Sequence, residues 1–226
     1  MGKFKTDYMG IHEQVYRRKK SAGEPGWSSI DEINLMINEL DRIFSEFKVP
    51  DKSTILELGC GDGAPSLRLA EKGFDVFGID ISPIAIQWAL DKNNEQNLKV
   101  NFTLGDVLNL PYSDESFDAV IDAHCLHCII GEDRRIFLDN AYRVLKSSGY
   151  LIVMTMCGDP AEESTKKYFD PVSRNMIVDG IAGRYFGHPE DILREIQSAG
   201  FDIVKWKIEH DPADGQQDLI AVCRKI

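Results

Sequence analysis

ILELGCGDGAPSLRLAEKGFDVFGIDI, residues 55–81, reads as a strand, a glycine turn, a helix, a second strand and an acid. Thr54–Leu58 is short, apolar and β-branched at its start, the pattern of a buried strand. Gly59, Gly61 and Gly63 then stand at alternate positions. Glycine allows positive φ and lets a ligand approach the backbone closely. Pro65 suits the first turn of a helix, where its missing N–H leaves nothing unpaired. That helix is expected to run to about Lys72, with Gly73 just past its end. Asp75–Ile79 is the next strand, and Asp80 stands at its carboxyl end. In an open parallel sheet ligands gather at that end, and an acid there accepts from both hydroxyls of a ribose.

Two cofactors suit such a unit. Gly59-x-Gly61-x-x-Ala64 matches the dinucleotide fingerprint, with Asp80 at the expected distance. That fingerprint seats a pyrophosphate on a helix N-terminus. Here Glu57 precedes the turn and Asp62 lies within it, and both would repel a pyrophosphate. S-adenosylmethionine carries no phosphate, and its sulfonium and α-ammonium groups suit nearby acids. The motif Glu57-x-Gly59-x-Gly61-x-Gly63 resembles the first motif of the class I S-adenosylmethionine-dependent methyltransferases, and the resemblance extends from about residue 53 to the C-terminus. It implies a Rossmann-like, doubly wound α/β fold. Seven strands are expected, mostly parallel with an antiparallel last strand, and helices cover both faces.

The resemblance also assigns roles. Glu57, Gly59, Cys60, Gly61 and Gly63 would hold the methionine side, Asp80 the ribose, and Ile81 would lie by the adenine. Asp106 would accept from the adenine amino group, and the Val107 N–H would meet the ring. Asp122 and Ala123, at the end of the strand Phe117–Ala123, point toward the cofactor by the strand-end rule. His124-Cys125-Leu126-His127-Cys128 follows as the floor of the site, with His124 or His127 as general base or substrate contact. The i, i+3 spacing of both pairs makes a metal conceivable. Zinc needs three or four ligands, however, and no second Cys/His cluster exists, so no metal is expected.

Around this centre, residues 1–29 read as an N-terminal arm, with Tyr8, Tyr16 and Trp27 as anchors or as a lid over the site. Its basic run Arg17–Lys20 is either a solvated helical face or a partner for an anionic group. Residues 30–226 form the methyltransferase domain. Ser29 with Glu32 makes a capping box for a helix to Lys48, whose stripe runs from Ile30 through Ile33, Ile37, Leu40 and Phe44 to Phe47. Ser82-Pro83 opens the next helix, and Val100–Leu104 is the third strand. A helix Arg134–Leu145 leads to a fifth strand Tyr150–Met156. Residues 157–188 show no clear period and are expected to cap the substrate, with Arg184 and Tyr185 among the contacts. Pro189–Ala199 is a helix, and Phe201–Glu209 and Asp218–Arg224 are strands joined by the polar turn 211–217.

Composition narrows the partners. The 226 residues carry 26 basic and 37 acidic side chains, a net charge of −11, which disfavours nucleic acid. No run of 18 apolar residues exists to span a membrane, and the first ten residues show no apolar signal region. Five scattered cysteines then read as reduced thiols in a cytoplasmic protein. The expected activity is in-line methyl transfer from S-adenosylmethionine to a small molecule, leaving S-adenosylhomocysteine, by a monomer or homodimer. The alternatives are a non-catalytic S-adenosylmethionine binder and an NAD-dependent oxidoreductase.

Overall fold

The computed structural model describes residues 5–211 and 215–226, so the centre of the polar turn 211–217 and the first four residues of the arm lie outside the described part. In chain order the described elements are α1 (Tyr8–Ser21), α2 (Ile30–Glu46), β1 (Thr54–Leu58), α3 (Ala64–Glu71), β2 (Asp75–Asp80), α4 (Pro83–Glu95), β3 (Asn101–Leu104) and β4 (Phe117–Ala123). There follow α5 (Asp133–Val144), β5 (Leu145–Cys157), α6 (Glu163–Lys166), β6 (Phe169–Asp170), β7 (Asn175–Val178), β8 (Ile181–Tyr185), α7 (Pro189–Ser198), β9 (Phe201–His210) and β10 (Gln217–Lys225).

Seven strands form one sheet in the order β3-β2-β1-β4-β5-β10-β9. β1 pairs in parallel with β2 and with β4, so strand order reverses beside it. The crevice at such a reversal, beyond the carboxyl ends of the strands, is where open α/β sheets bind ligands. β10 runs antiparallel to both neighbours, as the expected chain-terminal hairpin requires.

Strand residues alternate between two cores. Leu56, Leu58, Ile79, Val120 and Val153 face α5 and α7 through Phe137, Leu138, Ile192 and Ile196. Ile55, Val76, Ala119, Ile121 and Ile152 face α2 and α3 through Ile37, Leu40, Phe44 and Leu67. Helices therefore cover both faces. The capping box of α2 is formed in both directions, with the Glu32 carboxylate accepting from the Ser29 N–H at 2.6 Å. Its apolar stripe starts later than the sequence suggests: Ile30 is 63% exposed, while Ile33 and Met36 pack against the core and also line a cavity.

The segment expected to lack period is structured. β6, β7 and β8 make a separate antiparallel sheet. Asp179 and Gly180 link β7 to β8, and both have positive φ, 50° and 78°. Asp-Gly between apolar runs is a strong hairpin signal, because such tight turns need that geometry twice. The arm is a helix too. Its entry at Lys5 forms a parallel bridge to Ile181, with the Ala182 N–H donating to the Lys5 carbonyl at 3.0 Å.

Candidate active site

Past β1 the chain turns through Gly59, Gly61 and Gly63, whose φ values are 66°, 55° and 81°. Asp80 closes this turn. Its Oδ2 accepts from the Gly61 N–H at 2.9 Å and its Oδ1 from the Ser82 N–H at 2.8 Å. The residue is 7% exposed, and burial pushes its carboxyl up against the pull of these N–H groups and of His12. The two acids of the turn carry less free charge than the sequence alone suggests. Burial raises Glu57 to about 8, so it is largely protonated at neutral pH, with the Ser66 hydroxyl donating to it. Asp62 is ion-paired with Lys92. The repulsion that set a pyrophosphate aside is thus weaker than expected.

The turn opens on a cavity of about 1,020 Å³ at the carboxyl ends of the strands. One end is lined by Glu57, Gly59, Cys60, Gly61, Asp80 and Ile81, then by Asp106 and Val107. Asp106 Oδ1 accepts from the Leu108 N–H at 2.8 Å, and its Oδ2 has no partner among the described residues. The other end is lined by Ala123, His124, His127, Arg184 and the apolar Met154 and Met156. Tyr8, Tyr16 and Trp27 form part of the roof. Three expected site residues lie elsewhere. Gly63 packs beneath Phe102 and Ala89, at the start of α3. Asp122 turns back to cap the following turn, its Oδ1 accepting from the N–H groups of Cys125 and Leu126 at 2.8 Å. Tyr185 packs against the core away from the cavity lining, its ring 4.3 Å from the Arg134 guanidinium.

The floor is a single 3-10 turn, Leu126–Cys128, not the longer helix that the i, i+3 spacing would favour. His124 enters it at φ 72°, a left-handed conformation that costs a non-glycine residue about 1–3 kcal/mol. Its Nε2 meets Asp218 Oδ2 at 2.9 Å. Burial opposes charge on this ring, but Asp218, together with Asp122 and Cys128, raises the pKa. His127 is the opposite case. It is 3% exposed, burial lowers its pKa, and its Nδ1 has no hydrogen-bond partner. Beside it, burial works against a thiolate at Cys128, yet His127 and His12 outweigh it and hold the thiol well below its usual range. Among the described residues no three His, Cys, Asp or Glu side chains converge as a metal site, and all five cysteines are free thiols.

Helix α1 lies over this cavity. Tyr16 is 5% exposed, and its hydroxyl sits where a side chain on Gly61 would project. Trp27 packs on Tyr16 with ring centroids 4.8 Å apart. Glu13 accepts from the Ser82 hydroxyl at 2.5 Å, and Tyr8 donates to Asp133 at 2.8 Å. His12 donates through Nδ1 to the Tyr8 carbonyl at 2.6 Å. Burial opposes its charge, but Cys128 and neighbouring acceptors raise it to about 9. The basic run Arg17–Lys20 does not line the cavity; Lys20 reaches Asp91 at 3.4 Å and Lys19 reaches Glu24 at 2.6 Å.

His12, Cys128 and Asp218 were not among the expected functional residues. Tyr8, His12 and Tyr16 recur every fourth residue, which sets them on one helical face, so His12 was open to discovery. Asp218 lies 94 residues from His124, and nothing local announces their pairing.

Residues 56–153 match the family model of a methyltransferase domain. The chain is similar to ajmaline N-methyltransferase of Rauvolfia serpentina, 34% identical over 143 residues, which are 59% of this chain and 48% of that protein. It is similar to demethylmenaquinone methyltransferase of Tropheryma whipplei, 40% identical over 100 residues, 44% of this chain and 40% of that protein. The chain thus spans about half the length of the curated relatives it matches. In fold it resembles 1,6-didemethyltoxoflavin-N1-methyltransferase of Burkholderia thailandensis, solved with bound 1,6-didemethyltoxoflavin and S-adenosylhomocysteine, with a TM-score of 0.70 and 19% identity. That match covers 96% of this chain and 88% of the other.

Proposed function

We propose that this chain is a class I S-adenosylmethionine-dependent methyltransferase that moves a methyl group from S-adenosylmethionine to a small-molecule nucleophile by in-line displacement. The observation that carries this reading is the continuity of one roofed cavity. It runs from the glycine turn and Asp80 to the histidines after β4. The donor set suits the cofactor. Asp80 presents a carboxylate at the strand end, Asp106 keeps one oxygen unpartnered for an amino group, and Gly59 and Gly61 bring side-chain-free backbone to the cavity wall.

S-adenosylmethionine, when bound, supplies a methyl group already activated on a sulfonium. The chain's own work is to orient and to exclude water. Asp80 would hold the ribose hydroxyls. Asp106 and the Val107 N–H would take the adenine edge, with Ile81 against the ring, and Glu57 and the Gly59–Gly61 backbone the amino-acid end. Asp122 is a positioning residue, because it caps the turn that carries His124 and His127. Of the two histidines, neutral His127 with its unpartnered Nδ1 is suited to accept an acceptor's proton. His124, whose protonated form Asp218 favours, is suited to donate a hydrogen bond.

The domain division at residue 30, the monomeric or homodimeric state and the cytoplasmic location belong to the same proposal. Among the described residues no helix is long and apolar enough to cross a membrane.

The reading is tested by incubating the protein with S-adenosylmethionine and small amine, phenol, thiol and carboxylate acceptors, and following S-adenosylhomocysteine. Acceptor-dependent formation of product is expected. Tight cofactor binding with no turnover on any acceptor would instead favour a non-catalytic binder.

The His124 assignment has its own test. Asp218→Asn is expected to lower the His124 titration midpoint in histidine NMR. A pairing that raises the folded pKa stabilises the protein below the ordinary imidazole value, and that contribution is lost as pH rises through the raised one. The variant should therefore lose about 1 kcal/mol at pH 5.5 and little at pH 9, read from paired denaturation curves. An unchanged midpoint contradicts the pairing.

A further inference from the structure

We propose that Arg184 is the recognition group for an acceptor bearing a single carboxylate, which would make this enzyme a methyltransferase of small carboxylic acids. The inference rests on the methyl-transfer reading above and names its substrate class.

Two arginines line the cavity, Arg42 and Arg184. Arg42 is occupied, reaching Glu39 at 2.5 Å and Glu46 at 3.1 Å. Arg184 is half-buried, and its guanidinium has no hydrogen bond or ion pair to any described residue. That is unusual for a chain whose 37 acids outnumber its 26 bases. Arg174, in the turn just before β7, shows the contrast. Its guanidinium is taken by Asp159 at 2.6 Å and by the Phe186 and Gly158 carbonyls, so it is structural.

A second, independent feature marks the same end of the cavity. His127 is 97% buried, lines the cavity, and leaves Nδ1 without a partner. A buried polar atom without a partner is costly, so its complement is expected on the ligand. Arg184 is also close enough to disfavour charge on this ring. The two groups together describe an acceptor with an anion at one point and a hydrogen-bonding group at another.

The anion is best a planar monoanion. A guanidinium fork matches a carboxylate in two parallel hydrogen bonds. Of the cavity's two arginines Arg184 alone is unpaired, so it balances one ligand charge and leaves the second charge of a dianion such as a phosphate monoester without a guanidinium partner. Arg184 is also well placed to couple binding with closure. Its strand β8 is bridged to the arm at Lys5, and a side chain on Gly183 would meet Ile11 of α1 at 3.3 Å. An acceptor held by Arg184 would thereby steady the roof.

The test uses the full chain saturated with S-adenosylhomocysteine, titrated calorimetrically with benzoate, 4-hydroxybenzoate, 2-aminobenzoate and glycine, and with the amide of each. At least one carboxylate is expected to bind, with its amide at least tenfold weaker. Arg184→Gln should erase that ratio without changing affinity for S-adenosylhomocysteine, and Arg184→Lys should keep part of it. Equal binding of acid and amide, an undiminished ratio in Arg184→Gln, or no binding by any of the acids overturns the assignment. Failure of S-adenosylhomocysteine itself to bind wild-type protein overturns the methyl-transfer reading instead, and is read in the first titration, before any acid is added.

Discussion

Asp80→Ala is expected to weaken S-adenosylmethionine binding about 100-fold while leaving the protein folded. The carboxylate acts in two directions. Toward the protein it fixes the Gly61 and Ser82 N–H groups, and so the ends of the glycine turn and of α4. Toward the ligand it would accept from the ribose diol. A hydrogen bond to a charged group contributes about 1.5–3 kcal/mol, so losing the diol contacts alone removes about 3 kcal/mol, or two decades of affinity. Asp80→Asn keeps the shape and should lose less. Calorimetry with each variant, beside a thermal melt, measures both. A wild-type affinity in Asp80→Ala would remove the residue from the site.

Gly61→Ala is the second large effect, and it acts on the roof. At φ 55° an added Cβ is strained by about 1–2 kcal/mol, and it would sit 2.4 Å from the Tyr16 hydroxyl. Tyr16 cannot retreat easily, because it is buried and packed on Trp27. Helix α1 should therefore lift. Tryptic cleavage within Arg17–Lys20 should accelerate at least tenfold, the fluorescence of Trp27 should shift, and turnover should fall more than cofactor affinity. Gly23→Ala is the control. Its φ of 72° imposes similar backbone strain, yet nothing lies within 4 Å of the added methyl. Equal behaviour of the two variants would mean that strain, not the clash with Tyr16, governs the arm.

These two residues also show which parts of the site could be read from the chain. The glycine turn, the acid at the end of β2 and the alternating strands are local patterns, and local patterns survive in one dimension. Ser29 with Glu32, and Ser82 before Pro83, are of the same kind: the capping groups lie within one helical turn of what they cap. The Asp179-Gly180 hairpin was equally local and could have been found, but the absence of a helical period across 157–188 hid it. Asp122 shows the limit of the strand-end rule. The rule locates the end of a strand, but whether a side chain there faces the cavity or caps the next turn depends on the path of that turn. Asp62 shows the limit of counting charges, since Lys92, thirty residues on, neutralises it. The pairing of Asp218 with His124, and the solitude of Arg184, exist only once distant strands meet.

The central claim is that the cavity beside Asp80 takes S-adenosylmethionine. Calorimetric titration of the full chain with S-adenosylmethionine, S-adenosylhomocysteine and NAD tests it most directly. Micromolar or tighter binding of both adenosyl ligands at one site per chain, with no heat from NAD, is the predicted result. Binding of NAD alone would contradict it, and would show that the crevice accepts a pyrophosphate despite Glu57 and Asp62.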